Sequence, residues 1–152
     1  MEVRTLDYHT AGEPLRIIIS GMPEIPGDSM LARRRYMRDQ LDHYRRFLML
    51  EPRGHADMYG AVLTEAVTPD GDIGVLFLHN EGYSTMCGHG VIALVTAGLE
   101  GALFEVREEG VVRLDTPAGR VTARPEVRVG STPDAPAEVA PRRLGEEATM
   151  RR

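Results

Sequence analysis

Apolar positions in this chain fall into short blocks whose spacing changes along its length. Between Arg4 and Ile19, two apolar runs flank His9-Thr10-Ala11-Gly12-Glu13-Pro14, and the second run is Leu15-Arg16-Ile17-Ile18-Ile19. Apolar runs around a turn of this composition predict a β-hairpin. Gly21 to Asp28 carries two prolines and two glycines. Ser29 can then cap a helix whose apolar side is Met30, Leu31, Tyr36, Met37, Leu41 and Tyr44. Arginines 33, 34, 35, 38, 45 and 46 alternate there with Asp39 and Asp42. That mixture reads as a solvated helix face rather than a phosphate site.

From Phe47 the pattern turns to strands, with runs at Phe47–Leu50, Ala61–Leu63 and Ile73–Leu78. The last is apolar on both faces, as a central strand covered from both sides requires. It leads through His79-Asn80-Glu81-Gly82-Tyr83-Ser84 toward the only cysteine, Cys87. Gly90 to Leu99 is apolar, small and uncharged, the pattern of a wholly buried helix. Further strands are expected at Leu103–Arg107, Val111–Thr116 and Arg120–Ala123. Past Arg124 the prolines at 125, 133, 136 and 141 sit among small and charged residues without a sustained period, so residues 125–152 read as a Pro-rich tail lacking fixed structure. The whole is an α+β pattern without internal repeats.

Composition narrows the function. The chain has 152 residues, 42% hydrophobic and 27% charged, the balance of one globular domain. A net charge of −5 without a basic face argues against nucleic acid and anionic membranes as partners. No run of about 18 apolar residues and no export leader is expected from the sequence, which gives a cytoplasmic protein with a small-molecule partner. One cysteine makes neither an internal disulfide nor a cysteine zinc site. Cys87 is therefore a small buried hydrophobe or a reagent.

On residue chemistry alone a lone cysteine between Met and Gly is more often a small buried hydrophobe than a reagent, yet the surroundings of Cys87 also suit a reagent. It lies in the Gly-rich turn Met86-Cys87-Gly88-His89-Gly90, at the start of the apolar helix, where backbone N–H groups lack helical partners. Such N–H groups and the helix dipole favour a thiolate, so a depressed thiol pKa is expected. The N–H groups of Gly88 and His89 can also grip a carboxylate. A base and an anion cradle thus stand side by side.

That run resembles the catalytic motif of the proline racemase superfamily, whose members include proline racemases, 4-hydroxyproline epimerases and trans-3-hydroxy-L-proline dehydratases. Asp7-Tyr8-His9-Thr10-Ala11-Gly12-Glu13-Pro14 resembles the family's opening hairpin, with Ala11 where glycine is usual. Arg33-Arg34-Arg35-Tyr36-Met37, Glu51-Pro52-Arg53-Gly54-His55 and Asp57-Met58-Tyr59-Gly60 follow in the family's order. The likeness runs from about Val3 to Ala123.

The resemblance implies a fold like diaminopimelate epimerase: two α+β lobes, each a curved, mostly antiparallel sheet wrapped around a buried helix, with the active site in the cleft between them. Residues 1–124 correspond to the N-terminal lobe, and the second lobe is missing from the sequence. Cys87 matches the catalytic cysteine, Gly88 and His89 match carboxylate-binding positions, and Tyr59 matches an aromatic lining the pocket. Without the family, Tyr59 reads as a core aromatic. The family implies no cofactor and no metal, proline or hydroxyproline as substrate, and leaves a homodimer open. Its second lobe supplies an opposing Cys in racemases and epimerases, or Thr or Ser in dehydratases. The runs Leu76–Ser84 and Cys87–Leu94 look most like the dehydratase branch, and the Tyr59 phenol can bond a ring hydroxyl that proline lacks. Racemase or epimerase is the alternative within the family. A reading of another class is an inactive, truncated single-lobe protein.

Overall fold

A computed structural model of the chain describes residues 2–101, 103–128 and 138–140. The predicted hairpin is β1 (Arg4–Thr10) and β2 (Glu13–Ser20), paired antiparallel. Its two turn residues both have positive φ, 51° at Ala11 and 95° at Gly12, the backbone that a tight right-twisted hairpin demands. Helix α1 (Met30–Gln40) starts as expected, with the Ser29 side chain accepting the N–H of Ala32 at 3.2 Å.

Here the structure departs from the sequence reading. The helix breaks at Leu41 and resumes as α2 (Asp42–Met49). Phe47–Leu50 is therefore the end of that helix and the residue after it, not a strand. Leu41, Arg45 and Leu48, all buried, lie on its inner side, and the arginine in that row masks the helical period. The arginines are also not simply a solvated face. Arg33 donates to Gly27 O, Thr64 Oγ1 and Glu65 O, Arg34 donates to Tyr83 O, and buried Arg45 donates to His79 O. These three tie the helices to the strands, while Arg35, Arg38 and Arg46 are exposed.

The remaining strands are β3 (Tyr59–Thr64), β4 (Ile73–His79), β5 (Gly82–Ser84), β6 (Val112–Thr116) and β7 (Gly119–Ala123). The sheet order is β1-β2-β3-β4-β6-β7, with β5 paired to β4. Four of the six pairings are antiparallel; β2–β3 and β4–β6 are parallel. The parallel pairs mark two crossovers, one through α1 and α2 and one through α3 (Gly88–Gly101). Both step the same way across the sheet between strands of opposite direction. Right-handed crossovers then put their helices on opposite faces, and that is where the packing places them.

One core, under α3, collects Leu15, Ile17, Ala61, Val75, Phe77, Leu94, Val112 and Leu114. The other, under α1 and α2, collects Ile18, Met37, Met49, Val62, Leu76 and Leu78. Alternate residues of β4 enter opposite cores, which explains its apolar run on both faces. The mixed, mostly antiparallel sheet with its inner helix bears out the expected α+β lobe. Helix α3 is less completely buried than expected: Ile92 and Thr96 are half-buried and Leu99 is 40% exposed.

Leu103–Arg107 forms no strand. Phe104 fills the space beside Gly98, and Asp72 accepts the N–H of Arg107 at 2.9 Å, so tertiary contacts shape that segment as a coil. Within 125–152, where no fixed structure was expected, β8 (Glu126–Arg128) and β9 (Glu138–Ala140) pair as an antiparallel ribbon. The rest of that expectation, at 129–137 and 141–152, lies outside the described residues. No described helix is long and apolar enough to cross a membrane.

Candidate active site

Cys87 sits at the mouth of α3, where its carbonyl accepts the first helical N–H, from Val91, at 3.0 Å. The chain reaches it from the β4–β5 hairpin, and the connecting loop is pinned by Ala118 N–H donating to Thr85 O at 3.1 Å. The backbone N–H of Gly90 acts on the Cys87 thiol and favours its ionised form. Gly90 is required by space as well. A Cβ there would lie 2.8 Å from Phe77 Cε1 and 3.1 Å from Cys87 Sγ.

The four residues singled out from sequence come together. Gly88 and His89 form the first turn of α3 beside Cys87. The His89 ring lies along the thiol, with Nδ1 and Nε2 at 3.4 and 3.6 Å from Sγ. Tyr59, carried in by β3, meets His89 edge-on, with ring centroids 4.8 Å apart and planes at 81°.

The expected depressed pKa of Cys87 is not what this geometry gives. At 7% exposure the thiol has lost most of its water. Burial pushes its pKa up, the Gly90 N–H pulls it down, and the charge of Glu13 adds to the rise. Desolvation outweighs the helix terminus here because one N–H replaces a full hydration shell.

Sequence reasoning also missed neighbours that only the topology brings in. The β1–β2 turn folds over the helix start, where Thr10 Oγ1 donates to His89 O at 3.0 Å and Glu13 lies near enough to act on the thiol. Both belong to the hairpin motif, yet nothing in it announces which helix it covers. Phe77 closes the floor from β4 beside Gly90, and His79, at the end of that strand, flanks Tyr59. Among the described residues, no three His, Cys, Asp or Glu side chains come together as metal ligands.

A sequence model of the family described as proline racemase matches residues 5–140. This chain belongs to the proline racemase family. The match passes the boundary expected near residue 124 and takes in the β8–β9 ribbon. A trans-3-hydroxy-L-proline dehydratase from Bacillus thuringiensis is 56% identical over 120 residues, 78% of this chain and 36% of that protein. One from Homo sapiens is 56% identical over 122 residues, 78% of this chain and 34% of that protein. Among solved structures, a hydroxyproline epimerase from Agrobacterium vitis with bound trans-4-hydroxy-L-proline superposes at TM-score 0.75 and 32% identity, over 83% of this chain and 38% of the other. A probable proline racemase from Agrobacterium radiobacter with bound carbonate gives 0.72 and 34%, over 80% and 36%. The matched part of the chain therefore spans about a third of the length of these relatives.

Proposed function

We propose that this lobe carries the first half of a trans-3-hydroxy-L-proline dehydratase site, with Cys87 as the base that removes the α-proton. The observation that carries the proposal is the placing of the Cys87 sulfur at the mouth of α3, beside the N–H groups of Gly88 and His89. In that pose a prolyl carboxylate can lie on the helix N-terminus with its α-carbon facing the sulfur. Charge that develops toward the carboxylate in the transition state is then met by fixed donors.

The step balances simply. The Cys87 thiolate takes the α-proton, the C–H electron pair forms the Cα–Cβ double bond, and the β-hydroxyl leaves as water after taking a proton from an acid on the opposite side. The enamine then tautomerises to the imine. Because burial favours the neutral thiol, the cationic amine of the bound imino acid is what would tip Cys87 toward thiolate. In this reading the phenol of Tyr59, whose ring meets His89 edge-on, bonds the ring hydroxyl of the substrate.

Support for the dehydratase over a racemase or epimerase comes from the relatives: those named dehydratase are 56% identical, the epimerase and probable racemase 32% and 34%. A cytoplasmic location goes with the reading, since a lone thiol used as a base has to stay reduced.

Two measurements decide. Pyrrole-2-carboxylate, a planar mimic of the α-carbanion, should slow iodoacetamide alkylation of Cys87, and trans-3-hydroxy-L-proline in D2O should exchange its α-hydrogen or lose water in a way abolished by Cys87→Ser. Neither protection nor exchange, with trans-3-hydroxy-L-proline, proline and trans-4-hydroxy-L-proline alike, would overturn the proposal.

A further inference from the structure

Strand β4 ends in a histidine to which the sequence alone gives no role. Its alternate residues serve opposite cores: Val75 and Phe77 face α3, Leu76 and Leu78 face α1 and α2. His79 extends the Val75–Phe77 row by one more step of two, so its side chain leaves the sheet on the α3 side. Phe77 already abuts the α3 start at Gly90, which puts His79 at the end of the row nearest the site.

Its register partner across the β3–β4 ladder is Tyr59. The two rings are 5.5 Å apart, tilted by 35°. Tyr59 in turn meets His89 edge-on at 4.8 Å, and the nearer His89 ring nitrogen is 3.4 Å from Cys87 Sγ. Three rings in series therefore connect the last residue of β4 to the thiol.

The far end of the series is held firmly. His79 Nδ1 accepts the N–H of Glu81 at 3.3 Å, and its carbonyl accepts from buried Arg45 at 3.1 Å. Accepting at Nδ1 makes this a neutral imidazole with its proton on Nε2. Burial acts in the same direction by lowering the His79 pKa. The Tyr59 phenol, by contrast, makes no hydrogen bond among the described residues. Its ring packs against the α3 core, with His79 on one flank and His89 on the other.

We propose that His79 is a positioning residue of this site: it sets the Tyr59 ring, and through that ring the placing of the His89 imidazole beside Cys87. The inference rests on the reading of Cys87 and His89 as the site, but on nothing about which prolyl substrate is used. It makes the β3–β4 ladder part of the site's architecture, not merely its floor.

The test uses the full chain and two readouts that a general structural role would not move together: the His89 ring resonance by NMR, and the rate of Cys87 alkylation by iodoacetamide. His79→Ala should shift the His89 resonance and change the alkylation rate by about three- to tenfold, the range one aromatic pair of this kind sustains. His79→Phe, which restores a ring but not the imidazole nitrogens, should return both readouts toward the native values. In a Tyr59→Ala background His79→Ala should add nothing, since the coupling runs through Tyr59. Unchanged readouts in His79→Ala, no recovery in His79→Phe, or an undiminished effect without Tyr59 would each overturn the proposal. Pyrrole-2-carboxylate protection is scored separately. If it fails while the His79 effects stand, the dehydratase reading falls and this one survives; the converse result rejects this one alone.

Discussion

Cys87 and Gly90 stand in close apposition: the Gly90 N–H favours the ionised thiol, and a Cβ on residue 90 would stand 3.1 Å from the sulfur and 2.8 Å from Phe77 Cε1. Gly90→Ala should gain up to about 1 kcal/mol of helix propensity. Phe77 is fully buried, however, and has no room to retreat, so overpacking of about 1–3 kcal/mol should prevail. Urea unfolding should show a net loss of stability, and a gain would mean that the floor of the site is looser than this packing implies.

The thiol itself should be slow to react. With burial and Glu13 holding its pKa up, the alkylation rate should rise with pH through a midpoint above the ordinary thiol value of about 8.5. Glu13→Gln should lower that midpoint by removing the nearby negative charge. The sign for stability follows: a thiol whose folded pKa is raised contributes fully below about pH 8.5 and loses that contribution as pH climbs through the folded value. Alkylation at free-thiol rates at neutral pH would show that the sulfur is better solvated than its burial indicates.

How much of this was legible in the sequence depends on whether the cause was local. The Arg4–Ser20 hairpin, β4 and α3 each carry their own period or turn chemistry, and each was readable. So was the contiguous cluster of Cys87, Gly88 and His89. Phe47–Leu50 misled because a short apolar run fits a buried strand or a helix end equally well, and the deciding row of Leu41, Arg45 and Leu48 contains a charge. Arg45 is buried only because Asp42 and the carbonyl of His79 are there to receive it. Leu103–Arg107 was lost to Asp72 and Gly98, distant in sequence. Thr10, Glu13 and His79 join the site only through strand order, which no local pattern states.

The hairpin turn offers a test of the family departure at Ala11. With φ at 51°, Ala11 occupies the left-handed region, which costs a residue bearing Cβ about 1–2 kcal/mol. Glycine would relieve that cost but lose up to about 1 kcal/mol through the greater freedom of the unfolded chain. Ala11→Gly should therefore be neutral to mildly stabilising in thermal unfolding. Gly12→Ala, at φ 95° with open space around it, should destabilise through backbone strain alone.

Acid should loosen the α1–α2 junction before the sheet. Bidentate hydrogen bonds from Arg45, at 2.6 and 2.9 Å, hold the Asp42 carboxyl below the usual carboxylate range, and the Tyr83 hydroxyl also reaches Asp42 Oδ1 at 3.1 Å. A carboxylate whose folded pKa is depressed contributes fully above its unfolded pKa, about 4, and loses that contribution as pH falls through the folded value. Tyr83 has the opposite sign: burial pushes its phenol up, so its share is complete below about pH 10 and is lost as pH rises past it. Asp42→Asn should flatten the acid limb of the urea-midpoint profile and lower stability at neutral pH, where Arg45 is left buried without its anion. Tyr83→Phe should leave the acid limb in place and flatten the alkaline one. An acid limb equally steep in Asp42→Asn would assign the acid sensitivity to carboxylates outside this junction.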